Sequence, residues 1–238
     1  MKKLYEKSQL DFFLLWLLIY IGIQNLGHAL EASLGSAWYV SSPANVLLAL
    51  WLYRWVKKNG LLPYYGLGKI QVPARNLLWF LPLIVVSTDN LWRGVHWNLP
   101  AGELIFFLGG MAAVAFLEEL LIRGFLFQYL RKDSLTQSVA ISTLAFSAGH
   151  ILNLFSGRLS LAESLWQMAF ALVLGLLYAV VLLKSGSLWP CICSHAAINM
   201  LSAFAYRGDI PFGQRLPLNL LSMGISLLYI FHLLKSDS

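Results

Sequence analysis

Long apolar stretches recur along the whole chain, and they constrain its fold more than any other feature of the sequence. The candidate segments lie at about 12–30, 37–56, 77–92, 104–130, 135–155, 162–183, 187–206 and 216–234. About 20 consecutive apolar residues suffice for a helix to cross the hydrocarbon core of a bilayer. The pattern therefore predicts an all-α membrane protein, a polytopic helical bundle of about eight transmembrane helices.

The overall composition agrees with a membrane protein and excludes two other classes of chain. Charged residues make up 12% of the 238 residues and hydrophobic residues 58%, whereas a soluble domain averages about 25% charged residues. This much apolar surface also excludes a disordered chain. Eight spans leave no room for a separate soluble domain, so we expect a single transmembrane domain over residues 1–238.

The lysine and arginine residues predict the orientation of the bundle. With the amino terminus in the cytoplasm, twelve of them lie inside: Lys2, Lys3, Lys7, Arg54, Lys57, Lys58, Lys69, Arg75, Arg131, Lys132, Lys184 and Lys235. Only Arg93, Arg158, Arg207 and Arg215 lie outside, with Arg123 set aside as intramembrane. This imbalance follows the positive-inside rule and predicts that both termini are cytoplasmic. We therefore interpret the net charge of +6 as a topology signal, and we expect no nucleic-acid partner.

One predicted span is short and several contain isolated amides. Pro82 would kink or break the stretch at 77–92, so we expect a partial or re-entrant span there. Gln24, Asn25 and Asn90 are predicted to form hydrogen bonds between helices.

Three of the apolar stretches also carry strongly polar side chains. An ionisable side chain near the bilayer centre costs about 2.5–3.5 kcal/mol on insertion scales, so each one needs a partner or a function. These residues are Glu118, Glu119, Arg123, His150, His195 and Asn199.

Helical spacing separates these residues into pairs. Glu119 and Arg123 lie one turn apart on one face and can neutralise each other. Glu118 points about 100° away and has no local partner, which suits a general base. His195 and Asn199 share a face one turn apart, and two donors held in this way suit a developing oxyanion.

The depths of these groups favour a common site. With a rise of about 1.5 Å per residue, Glu118, His150, His195 and Asn199 lie about 12–23 Å from the cytoplasmic ends of their spans. Taken singly, His150 or Asn199 is more typical of a hydrogen-bonded core residue. Three polar spans at matching depths instead favour one buried cavity that is accessible from the cytoplasm.

The motifs E-E-x-x-x-R, F-x-x-x-H and H-x-x-x-N, which begin at Glu118, Phe146 and His195, resemble those of the CPBP intramembrane proteases. This family includes the type II CAAX prenyl endopeptidases and bacterial relatives, the Abi proteins, that are linked to bacteriocin processing or immunity. The resemblance covers residues 118–199, and the first three stretches carry no matching motif.

The resemblance implies a catalytic core at about 104–206 and a role for each motif residue. Glu118 and His150 would activate a water molecule, and His195 and Asn199 would stabilise the oxyanion. The supporting residues would be Glu119, Arg123 and Phe146.

The resemblance also implies the class of substrate and the location. The substrate would be a membrane-associated protein or peptide of CAAX type, with or without a prenyl group, or one related to a bacteriocin. The chain resembles a member from a bacterial plasma membrane.

Two further alternatives remain at this point. Glu118, His150 and His195 are also a reasonable zinc ligand set, although the absence of H-E-x-x-H favours a metal-free mechanism. A non-catalytic membrane protein, either an immunity or binding protein or a transporter, is the alternative function. The sequence has no repeated halves of the kind that many transporters contain.

Overall fold

The computed structural model describes residues 1–70, 78–155, 159–206 and 212–236, and within these ranges the fold is helical, as predicted. The helices are α1 (Gln9–Leu34), α2 (Ser41–Lys58), α3 (Leu81–Ser87), α4 (Ala101–Leu130), α5 (Leu135–Gly149), α6 (Leu161–Ser185), α7 (Trp189–Leu201) and α8 (Phe212–Lys235). Shorter helical segments include Lys2–Lys7 and Leu152–Phe155. Each of the eight predicted stretches therefore contains one labelled helix.

Length and composition of the described helices support part of the predicted number of membrane spans. In the part described, four helical segments are long and apolar enough to cross a bilayer: Gln9–Leu34, Ala101–Leu130, Leu161–Ser185 and Leu216–Lys235. The chain is thus a multi-pass membrane protein, but a count of about eight is not confirmed. Helix α7 has only 13 residues, or about 20 Å, which is shorter than the roughly 30 Å hydrocarbon core.

Helix α3 agrees with the expectation of a partial span, because the described part of the stretch at 77–92 contains only a short apolar helix, and Pro82 lies at its start. The helix has seven residues, and Pro82 lies in its first turn, where the missing N–H costs no internal hydrogen bond. Pro82 therefore helps to start a short helix and does not kink a long one. Seven residues extend only about 10 Å, so α3 alone does not cross the membrane.

Local capping signals determine where the long helices begin and end. Ser8 accepts a hydrogen bond from the Asp11 backbone N–H at the start of α1. A capping box of Ser160 and Glu163 starts α6, and Gly186, with φ of 62°, ends it in the left-handed region. These features fix the ends of the helices close to the predicted boundaries.

Helix α4 lies at the centre of the bundle and contacts α1, α2, α5 and α7. It approaches α2 closely at Gly110, where an added Cβ would overlap the Ser42 side chain. A side chain at this position would therefore separate the two helices. The central position of α4 allows its polar residues to meet side chains from several other helices.

Part of the predicted charge distribution lies outside the described residues. Arg75, Arg158 and Arg207 are not among them, and the side chain of Arg215 is not described either. The orientation of the termini stays a prediction.

Candidate active site

The carboxyl-terminal half of α4 carries both glutamates into the bundle. Glu118 and Glu119 end a regular α-helical segment, and residues Leu120–Leu126 continue as a π-helix. All seven residues of the π-helix are buried, Arg123 among them. Wider turns of this kind are frequent at functional sites because they change the direction of the following side chains.

Glu119 is the centre of a buried ionic group. Its Oε1 atom accepts a hydrogen bond from Arg123 Nη1 at 3.0 Å and lies 2.9 Å from His195 Nδ1. The side chains of Glu119 and Arg123 are both 0% exposed. The carboxylate neutralises the guanidinium, and it also favours the imidazole tautomer that carries its proton on Nδ1.

Phe146 lies between the arginine and the two histidines. The Arg123 guanidinium carbon is 4.0 Å from the centre of the Phe146 ring. The same ring meets His150 and His195 edge to face, with centroid distances of 5.4 and 5.5 Å. A cation over an aromatic face is stabilised electrostatically, so Phe146 both supports Arg123 and separates the imidazoles.

Close packing on α6 completes the surroundings of the guanidinium. An added Cβ at Gly175 would lie 3.2 Å from Arg123 Nη2, and the Tyr178 ring lies 5.7 Å from the guanidinium carbon. Within the described part of the chain, Nε and Nη2 of Arg123 have no hydrogen-bond partner. Aromatic faces therefore provide most of the environment for this charge.

Glu118 has a different environment from its neighbour. Its side chain is 25% exposed, and its Oε2 atom lies 3.6 Å from His195 Nε2. Its Oε1 atom accepts a hydrogen bond from the Tyr20 hydroxyl at 2.6 Å. His195 thus lies between the two glutamates, with one ring nitrogen directed at each.

Tyr20 is the residue that sequence reasoning missed. It lies on α1, far from the motifs, and a single tyrosine in an apolar stretch gives no signal of such a contact. A signal did exist in Gln24, one turn later: its Nε2 donates to the Tyr20 hydroxyl oxygen at 3.1 Å, and its Oε1 accepts from Asn45 Nδ2 at 2.8 Å. The predicted interhelical role of Gln24 is thus observed.

The other two predicted interhelical amides differ from each other. Asn90 Nδ2 donates to the carbonyl of Ile198 on α7 at 2.7 Å, as the prediction requires. Asn25 Nδ2 instead donates to Ile21 within its own helix at 2.9 Å. The prediction for Asn25 was wrong because its side chain lies on an exposed face of α1.

His150 and Asn199 lie at the margin of the cluster. His150 follows the last residue of α5, is half-buried, and interacts electrostatically with Glu118, Arg123 and His195. Asn199 lies one turn after His195 on α7 and is also half-buried. Its backbone carbonyl accepts from Ser202, and its amide forms no hydrogen bond within the described ranges. The amide is therefore available to a substrate.

The alternative zinc ligands do not form a compact set. Among the described residues, no group of three or more His, Cys, Asp or Glu side chains could hold a metal ion. A catalytic zinc site usually needs three protein ligands. His195 Nδ1 contacts Glu119 and Nε2 faces Glu118, a pattern that by itself does not distinguish a metal ligand from a metal-free histidine.

An apolar cavity of about 370 Å³ lies beside the site, between α3 and α7. Its lining includes Leu83, Trp189, Cys193 and Ala197. Cys193 and Ala197 lie two residues before and after His195, about 200° away around the helix axis. The cavity therefore lies on the opposite face of α7 from the imidazole, and it is not the polar cavity that the matching depths predict.

Comparison with known proteins gives one match. Residues 100–201 match the model of a family described as Rce1-like, type II CAAX prenyl endopeptidase. No curated protein and no solved structure matches the chain. The matched range includes all three motifs and ends beyond Asn199, whereas Tyr20 lies outside it. The segment that carries the motifs is thus similar to the Rce1-like type II CAAX prenyl endopeptidases, which agrees with the resemblance to the CPBP proteases.

Proposed function

We propose that this chain is an intramembrane endopeptidase that hydrolyses a peptide bond in a membrane-associated protein or peptide. One observation carries the proposal: the His195 ring lies between two glutamates, 2.9 Å from Glu119 and 3.6 Å from Glu118. Glu119 is fully buried and paired with Arg123, whereas Glu118 is partly exposed. This arrangement provides a fixed imidazole beside an accessible carboxylate.

The accessible carboxylate acts as the general base. Glu118 removes a proton from a water molecule that it holds together with His150, and the oxygen of that water attacks the carbonyl carbon of the substrate. The carbonyl π-bond electrons move to the oxygen, which becomes an oxyanion. Collapse of the intermediate breaks the C–N bond, and the proton held by Glu118 is passed to the departing amine.

The oxyanion is stabilised by groups on α7. His195 presents Nε2 toward the site, and the buried Glu119 carboxylate on Nδ1 fixes the orientation of the ring that meets the oxyanion. Asn199 donates from its amide on the same helix face. Arg123 and Phe146 keep Glu119 and both imidazoles in place.

The family match supports a CAAX-type substrate, with or without a prenyl group, and we include bacteriocin-related peptides in the same substrate class. We also propose that the protein lies in a bacterial plasma membrane with both termini in the cytoplasm. Twelve Lys and Arg residues on one side of the predicted topology and four on the other support this orientation.

The test measures peptide cleavage by purified protein in liposomes. The substrates are a library of membrane-associated peptides that includes prenylated and unprenylated peptides with CAAX ends. We expect wild type to cleave a subset, and Glu118→Gln to lose about 10²–10⁴-fold in kcat, the usual contribution of a general base. Glu103→Gln, in the first turn of the same helix, is the matched control and retains activity. Full activity of Glu118→Gln would contradict the proposal.

A further inference from the structure

A chain of three neutral side chains from α1 and α2 ends on the Glu118 carboxylate. Asn45 Nδ2 donates to Gln24 Oε1 at 2.8 Å, Gln24 Nε2 donates to the Tyr20 hydroxyl oxygen at 3.1 Å, and Tyr20 donates to Glu118 Oε1 at 2.6 Å. None of the three donors lies within residues 100–201, which the family model matches.

The direction of these hydrogen bonds is the same at every step. The Gln24 amide donates to the Tyr20 oxygen, so the single proton of the tyrosine hydroxyl is left for Glu118. A 2.6 Å bond lies in the range expected for a hydroxyl that donates to an ionised carboxylate. Asn45 and Tyr20 are both buried, at 3% and 7% exposure, so water does not readily replace them.

These contacts distinguish the two oxygens of the carboxylate. Oε1 is occupied by Tyr20, whereas Oε2 lies 3.6 Å from His195 Nε2, beyond normal hydrogen-bond length. Without the Tyr20 hydroxyl, the carboxylate would be free to rotate and to place either oxygen toward His195. A small displacement of a reacting group is expected to slow the chemical step much more than it weakens binding.

We infer that Tyr20, with Gln24 and Asn45 behind it, is a positioning residue that holds Glu118 through Oε1 and leaves Oε2 to take the proton from water. The inference rests on the proposed function of Glu118 as general base. It adds a contribution to the site from helices outside the motif-bearing segment. It also assigns the reactive oxygen.

The test is the variant Tyr20→Phe, which keeps the ring and removes the hydroxyl. We expect kcat to fall about 10–100-fold, while KM and the thermal unfolding midpoint stay close to wild type. The matched control is Tyr65→Phe. It removes a hydrogen bond of 2.9 Å between two tyrosines, Tyr65 and Tyr5, at a buried ring away from both glutamates. This control should leave kcat unchanged.

A second variant tests the order of the chain. Gln24→Leu should cause a smaller loss of kcat, and the double variant Tyr20→Phe with Gln24→Leu should lose no more than Tyr20→Phe alone. Such non-additivity is expected when one residue acts only through the other. Two independent contributions would instead multiply, and that result would overturn the ordered chain.

The outcomes separate this inference from the proposed function. If wild type cleaves peptides and Glu118→Gln does not, but Tyr20→Phe retains full kcat or loses only thermal stability, the positioning role is wrong and the proposed function stands. If wild type is inactive on every peptide, or Glu118→Gln is fully active, the proposed function itself fails. If Tyr20→Phe does not fold, Gln24→Leu decides: a loss in kcat with unchanged KM supports the role, and an unchanged kcat overturns it.

Discussion

The two glutamates on either side of the His195 ring differ in how their negative charge is compensated. On one side, Glu119 is fully buried and its charge is balanced by Arg123, which rests on Phe146. On the other side, Glu118 is 25% exposed and accepts from the neutral Tyr20 hydroxyl. The Glu119 side is thus an ionic group closed to solvent, and the Glu118 side is a polar group open to it.

This difference indicates how one short motif supplies both structure and reactivity. Adjacent residues on a helix point about 100° apart, so the same turn of α4 directs one carboxylate inward to an arginine and the other toward the accessible region. A closed and neutralised pair holds its partners in place but has no access to water. An accessible carboxylate with a neutral donor remains able to bind and deprotonate a water molecule.

The largest effect is expected from removing the charge on the closed side. Glu119→Gln keeps the shape but leaves Arg123 as an uncompensated buried charge, which costs about 3–5 kcal/mol in other proteins. We expect a large fall in the free energy of unfolding, measured by denaturation in detergent. Activity should fall as well, because Glu119 contacts His195 Nδ1 at 2.9 Å.

An exposed pair with the same spacing provides the control. Lys2 and Glu6 are also one turn apart, at 3.7 Å, but their side chains are 71% and 59% exposed. Glu6→Gln should therefore leave stability almost unchanged. If Glu119→Gln left the free energy of unfolding equally unchanged but abolished activity, Glu119 would be the reactive carboxylate, and the roles assigned to the two glutamates would be exchanged.

The difference between the two glutamates could be predicted from the sequence, because the spacing of residues along one helix determines which of their side chains can meet. The pair of Glu119 and Arg123 follows from a separation of four residues, and in the structure Arg123 Nη1 lies 3.0 Å from Glu119 Oε1. The isolation of Glu118 on its own helix was predicted in the same way. Its partner on α1 was not, because a contact between residues 98 positions apart depends on how helices pack.

The fold was predictable to a similar degree. Apolar length identified the position of every labelled helix, but the predicted count of about eight membrane spans is not confirmed, since four helical segments in the described part are long and apolar enough to cross a bilayer. Helix α5 illustrates why the count stays open: it has 15 residues, and its buried side combines Ser138, Ser142, Thr143 and Ser147 with Phe146. Hydropathy alone does not distinguish a helix packed within a bundle from one that faces lipid.

A smaller effect, confined to the chemical step, is expected on the open side at Asn199. Asn199→Ala removes a proposed oxyanion donor and should lower kcat by about 10²–10³-fold. KM and stability should change little, since the amide forms no hydrogen bond in the described part of the protein. Asn25→Ala, at an exposed position on α1, is the control. A loss of stability without a loss of kcat would place Asn199 in the structural group with Glu119.

The smallest effect on peptidase activity is expected from metal removal. This experiment bears on the comparison because a zinc ion would place a positive charge next to Glu118. Glu118, His150 and His195 are the alternative ligands, but no group of three such side chains within the described ranges could hold a metal. We therefore expect chelation to leave most of the peptidase activity intact, and elemental analysis to find no stoichiometric zinc. Under the alternative, activity would fall with chelator and return with added zinc, and His150→Ala would lose bound metal. About one zinc per chain, with activity that follows metal content, would make Glu118 a metal ligand, and its partial exposure would then reflect access for a metal ion.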